Sequence, residues 1–270
     1  MLYDNINYSL DISYLNNVFI REYDISKANI NVLYSKGIID EKVYNDLYNA
    51  ERMVRQRYVG MLQKDKTIME TLKKGIIEAK KCLFEANDIK DYEVLSIKND
   101  AVFIINRKLI TTKFGLINFL NKNTYTSFYK FNNLELYYYY NNIDKSECLD
   151  IKGISDAKLV LHDQYMMQFL KDLFYTVQMN GVEVAMRLLK DFYNSYINLN
   201  LDIGYYRKFN NDSDYHYKFN TNIGTGFSAE YVSNDDKYAV DISFNLSILL
   251  ELQKILTSMY FSKYKQPSRN

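Results

Sequence analysis

An α+β fold is the class this sequence predicts, on three observations. Short apolar runs separated by polar breaks, as in residues 93–105, have the form of paired strands. Residues 53–87 and 162–199 instead carry apolar side chains at three- and four-residue spacing, the mark of helices with one buried face. The two kinds of segment do not alternate, so a regular βαβ repeat is not expected. Hydrophobic residues make up 47% and charged residues 25% of the 270, a balance that supports a packed core and excludes wholesale disorder.

The elements follow in order. Asn17–Tyr23 reads as a strand, and residues 24–33 as a turn entering a helix, with Asp24 or Ser26 available to cap its first amides. Gly37 and Asp40 punctuate the route to a helix around Glu41–Asn49. One long helix is predicted from Met53 to Asn87. Ile68, Leu72, Ile76, Ala79 and Leu83 form its apolar face, and Lys73, Lys74, Lys80 and Lys81 lie on another, solvated flank. Glu93–Ile97 and Ala101–Ile105 flank Lys98-Asn99-Asp100 and read as a β-hairpin. Strand-like material continues through residues 108–154, notably Thr124–Tyr129 and Leu134–Tyr140. Helices return from His162 to Leu199, divided at Gly181; strands are expected between Gly204 and Phe244, and a closing helix over Leu246–Phe261. This order suggests an α+β core over residues 1–155 and a helical segment with C-terminal strands over 156–270.

Composition narrows the function. No apolar run approaches the roughly 18 residues that span a bilayer, and the first residues lack a signal-peptide pattern, so a cytoplasmic protein without membrane partners is expected. Two cysteines make neither a disulfide framework nor a four-cysteine zinc site. The net charge of +1 argues against a wholly basic nucleic-acid coat while permitting a local basic cleft. Twenty-seven Tyr beside one Pro and nine Gly, with abundant Asn, Lys and Ile, point to a genome drifted toward A/T, as in phages and some low-G/C bacteria.

Chemistry concentrates on two acidic residues. Asp24 closes a strand and Asp100 sits at the turn of a hairpin; if those strands are neighbours, two carboxylates converge. Paired carboxylates suit Mg²⁺, which keeps places for water and phosphate, and two such ions assist phosphoryl transfer. Other roles are equally ordinary: Asp24 as a helix cap and Asp100 as a turn residue.

Residues 24–33, Asp-Ile-Ser-Lys-Ala-Asn-Ile-Asn-Val-Leu, resemble the first palm motif of family A DNA polymerases, Asp-Tyr-Ser-Gln-Ile-Glu-Leu-Arg-Val-Leu. Ile97–Phe103 is similar to that family's later Val-His-Asp-Glu motif. The resemblance implies a polymerase-palm-like antiparallel sheet with packed helices. It also implies catalytic, metal-binding roles for Asp24 and Asp100, with two Mg²⁺ ions as cofactors, and residues 158–199 as a reduced thumb. Ala101 stands where the family has a further acid, Asn99 where it has His, and no intact fingers motif lies between the two aspartates. Against family B, Lys98 replaces the first Asp of Asp-Thr-Asp-Ser. Arg52, Arg55, Arg57 and Lys98 are then phosphate-binding candidates, joined by Lys152 from a faint match to the Lys-Gly-x-Glu motif.

The function implied is a palm-like DNA polymerase or nucleotidyltransferase with nucleic acid and nucleoside triphosphates as partners. The competing reading is a non-catalytic phage structural or nucleic-acid-binding accessory protein on a degenerate palm, with protein partners. From Glu51 to Lys81 nine Arg/Lys face four Asp/Glu, a mild lean toward nucleic acid. Tyr125, Phe128, Tyr129 and Phe131, interleaved with lysines, offer either base-stacking faces or an ordinary aromatic strand. Asp212, Asp214 and His216 read as a metal cluster or as a polar turn.

Overall fold

The computed structural model describes residues 12–131, 134–154, 159, 162–206, 218–219, 229–230 and 242–262. The architecture is α+β. The main sheet holds β1 (Tyr14–Ile25), β2 (Val94–Lys98), β3 (Ala101–Ile105), β4 (Lys113–Phe114), β5 (Ile117–Phe131), β6 (Leu134–Tyr140) and β7 (Glu147–Lys152). Its strand order is β2-β3-β1-β5-β6-β7, with β4 on β5. Contacts group the chain into two units, Val18–Tyr125 in one, and Ser13–Asn17 with the residues from Thr126 onward in the other. Strands β6 and β7 therefore belong with the helices beyond residue 155.

In the first unit β1 leads into α1 (Ala28–Ser35), followed by α2 (Glu41–Asn49), α3 (Arg52–Leu62) and α4 (Lys66–Asn87). The strand runs farther than its apolar pattern suggests. Ile25 N–H donates to the Asp100 carbonyl at 3.1 Å, which extends the ladder one residue past Asp24. Asp24 is thus a strand residue and not a helix cap. The cap position of α1 falls to Lys27, whose backbone is left-handed (φ 51°) and whose side chain makes no cap bond. The expected long helix over 53–87 is two helices. The break comes at Gln63-Lys64-Asp65, where the Asp65 carboxylate accepts from Thr67 N–H and starts α4 afresh.

The apolar face of α4 packs Ala79, Leu83 and Phe84 onto Tyr23, Ile25, Val102 and Ile104 of the sheet. At Gly75 the helix presses on α1 so closely that a Cβ would lie 2.4 Å from Val32 Cγ1. Gly75→Ala ought therefore to cost about 1–3 kcal/mol through overpacking, outweighing the gain in helix propensity. A denaturant titration showing a stabilised variant would contradict that close approach.

In the second unit α5 (Met166–Met179), α6 (Val182–Ile197) and α7 (Ile242–Ser262) pack on β6 and β7. Gly181 separates α5 from α6 with φ 90°. Much of the tyrosine content is core. Tyr129 stacks on Phe174 at 4.1 Å, and the Tyr138 hydroxyl donates to Glu147 at 2.7 Å. Burial pushes both phenols up from their ordinary values, so they stay neutral. Two short strands, β8 (Lys218–Phe219) and β9 (Ala229–Glu230), pair antiparallel. Most of the strand region expected between 204 and 244 lies outside the described residues, including Asp212, Asp214, His216 and Gly224–Gly226. No helix among the described residues is long and apolar enough to cross a membrane.

Candidate functional site

The site is built in the first unit, where β1 ends beside the β2–β3 turn. The antiparallel register sets Asp24 opposite Ala101, and Ala101 in turn opposite Lys98. Those three residues form one cross-strand row and share a face of the sheet. Asp100 follows directly in the turn, after Asn99, which takes the left-handed conformation at φ 46°. Because Ile25 N–H bonds the Asp100 carbonyl, the backbones carrying the two aspartates are stitched together. Residues separated by 75 positions in the chain thus meet at one spot.

Asp24 and Asp100 both line a cavity of about 560 Å³ together with Lys27, Asn29, Arg52, Arg55, Gln56, Gln63 and Lys122. The Lys122 ammonium stands 3.9 Å from Asp24 Oδ2. Lys27 is occupied elsewhere, since its ammonium donates to the Tyr48 carbonyl at 2.6 Å and lies over the Tyr48 ring. Arg55 is steadied by a 2.7 Å bond from Nη1 to the Ala50 carbonyl, which leaves further guanidinium N–H groups to face a ligand. A second cavity of about 440 Å³ shares Asn29, Gln63 and Asp100 with the first. Its other walls are Met69, Leu72, Lys73, Ile76, Ile77 and Lys80 of α4, with Asn99.

The structure therefore unites Asp24, Asp100, Arg52 and Arg55. Arg57 lies exposed on α3 and lines neither cavity. Lys98 shares the sheet row of Asp24 without lining either cavity. Lys152 is on β7 in the second unit, 2.6 Å from Asp150. Tyr125, Phe128, Tyr129 and Phe131 are buried, so they offer no faces for base stacking; they are core side chains.

Lys80 departs furthest from expectation. It is 1% exposed, where its position on a lysine-rich flank suggests solvation, and its ammonium donates to the Asn99 carbonyl at 2.8 Å. A signal is present in the sequence: Met69, Lys73, Ile77 and Lys80 recur at three- and four-residue spacing along the edge of the core stripe that holds Leu72 and Ile76. Lys80 braces the turn that presents Asp100. Lys80→Met is expected to speed hydrogen exchange at the Ile25 amide about fivefold, the worth of roughly one hydrogen bond. Global stability should move less, because removing a buried ammonium also removes its desolvation cost. Unchanged exchange at Ile25 would show that the turn does not depend on this lysine.

Two carboxylates at adjoining positions form a hard oxygen donor set that fits Mg²⁺, an ion often held by one or two carboxylates with water and phosphate completing its shell. Among the described residues no group of three or more His, Cys, Asp or Glu side chains gathers.

A family model described as the Bacteriophage PBS1 gene 130 protein matches residues 1–258. The chain belongs to this family. The phage origin expected from its A/T-biased composition is thereby borne out. No curated protein matches the chain. Within this phage family member, the convergence of two aspartates and two arginines gives the chemistry its most concentrated location.

Proposed function

We propose that this phage protein is a compact, palm-type nucleotidyltransferase that extends a nucleic-acid primer, as a small DNA polymerase does. One observation carries the reading: Asp24 and Asp100, from separate segments, line a single cavity with Arg52 and Arg55. The hairpin's placement beside β1, after an intervening long helix, supports it as well. Asp24 and Asp100 would hold Mg²⁺, which supplies charge neutralisation at phosphate oxygens and a more acidic attacking hydroxyl. The chain's own residues do the rest. Arg52 and Arg55 present planar donor forks to the triphosphate, the geometry that binds phosphate in pairs of hydrogen bonds. Lys122 offsets the negative charge of Asp24 until a cation is bound, and Lys98 extends positive charge along the same sheet face.

A second reading, a non-catalytic phage structural or accessory protein, draws on Ala101 in place of a further acid and on the burial of the aromatic residues of β5. The two separate in one assay: incorporation of labelled nucleotides on primed DNA and RNA with Mg²⁺ or Mn²⁺. Incorporation that depends on the metal and on Asp100 supports the enzyme. A folded wild type that incorporates nothing under all four conditions favours the accessory role.

A further inference from the structure

We infer that the second cavity holds the nucleobase, so that this protein selects its nucleotide with its own side chains and without a template; the inference rests on the proposed nucleotidyl transfer. The cavities share Asn29, Gln63 and Asp100 but are walled by different side chains. On one side Arg52 and Arg55 stand with Lys27 and Lys122 around the two aspartates. On the other, Met69, Leu72, Ile76 and Ile77 give an apolar wall, with Lys73 and Lys80 of the same helix beside it and Asn29, Gln63 and Asn99 along its edge. A flat base with an apolar face and a hydrogen-bonding edge fits the second. A polyphosphate fits the first. Carboxamides both donate and accept, as base edges do, so they can tell one edge from another. A volume of about 440 Å³ lies within the range typical of small-molecule sites. Asp100 sits at the shared border, where the base and the phosphates of one nucleotide would meet.

A site that reads the base through protein groups binds nucleotides in the absence of nucleic acid and discriminates among them. Equilibrium binding by the full chain with Mg²⁺ tests this, using inorganic tripolyphosphate and each of the four nucleoside triphosphates. At least one nucleotide should bind about tenfold tighter than tripolyphosphate, and the four should span about tenfold, the worth of one or two hydrogen bonds. Gln63 is exposed, so Gln63→Ala spares the fold; with Asn29→Ala as a second variant, it should narrow the span among the four nucleotides to about twofold, on top of any common shift that all five ligands share because both residues also border the first cavity. Arg55→Gln should weaken all five ligands alike. Nucleotides binding no tighter than tripolyphosphate, or a span untouched in both amide variants, would overturn the inference. If primed incorporation still depends on Asp100 in that case, nucleotidyl transfer stands and only base selection by the protein falls. An Arg55→Gln variant that binds all five ligands normally removes the phosphate site, and both readings fall together.

Discussion

Asp24→Asn and Asp100→Asn should each lower metal-dependent nucleotide incorporation by about a thousandfold or more, the several kcal/mol a bound cation contributes to a phosphoryl transition state. Asn has the size of Asp but lacks the charge that holds a divalent ion. Neither change should damage the fold. Asp24 pairs with Lys122, a half-exposed lysine at 3.9 Å, and such pairs contribute about 0–1 kcal/mol. Asp100 supports the sheet through its backbone carbonyl, which accepts from Ile25 N–H and is retained in Asn. Thermal midpoints should thus stay within about 5 °C of wild type, as a loss below 1 kcal/mol allows. Wild-type incorporation by both variants would end the two-carboxylate assignment; a large drop in midpoint would recast the aspartates as structural.

Phe174→Ala is expected to destabilise the second unit by about 3–5 kcal/mol, a large part of the 5–15 kcal/mol typical of a whole domain. Phe174 is 1% exposed, stacks on Tyr129 with rings 8° from parallel, and lies 5.8 Å from the Tyr138 ring. Truncation removes the aromatic contact and leaves a void between β-sheet and helix that rigid neighbours fill poorly. A urea titration is the measurement. A loss under about 1 kcal/mol would mean the surrounding tyrosines collapse into the space.

The helix around 41–49 was legible from the Gly37 and Asp40 that precede it, those within 162–199 and over 246–261 from their apolar character, and the 94–105 hairpin from two apolar runs around a polar break, although the last helix begins four residues earlier, at Ile242. Two features were not. The break between α3 and α4 depends on Asp65 accepting from one backbone amide, a local bond that a continuing helical stripe conceals. The role of Asp24 depended on how far β1 runs, and that is decided by a hydrogen bond to Asp100, remote in sequence. At the site, the two aspartates stood out through their order in the chain, yet Asn29, Gln63 and Lys122 carry no motif. Lys80 looked like part of a solvated basic flank, and only the turn above it gives its ammonium a use. Tyr125, Phe128, Tyr129 and Phe131 misled in the opposite direction, since alternation with lysine fits a stacking platform as well as a buried strand.

Position 99 has a consequence for the descent of this phage family. Its left-handed backbone is a conformation that Gly adopts freely, Asn and Asp tolerate, and β-branched residues resist. Substitution there without strain is limited mainly to Gly, Asn, Asp and His, because the constraint comes from the bend of the chain and holds whatever the side chain is used for.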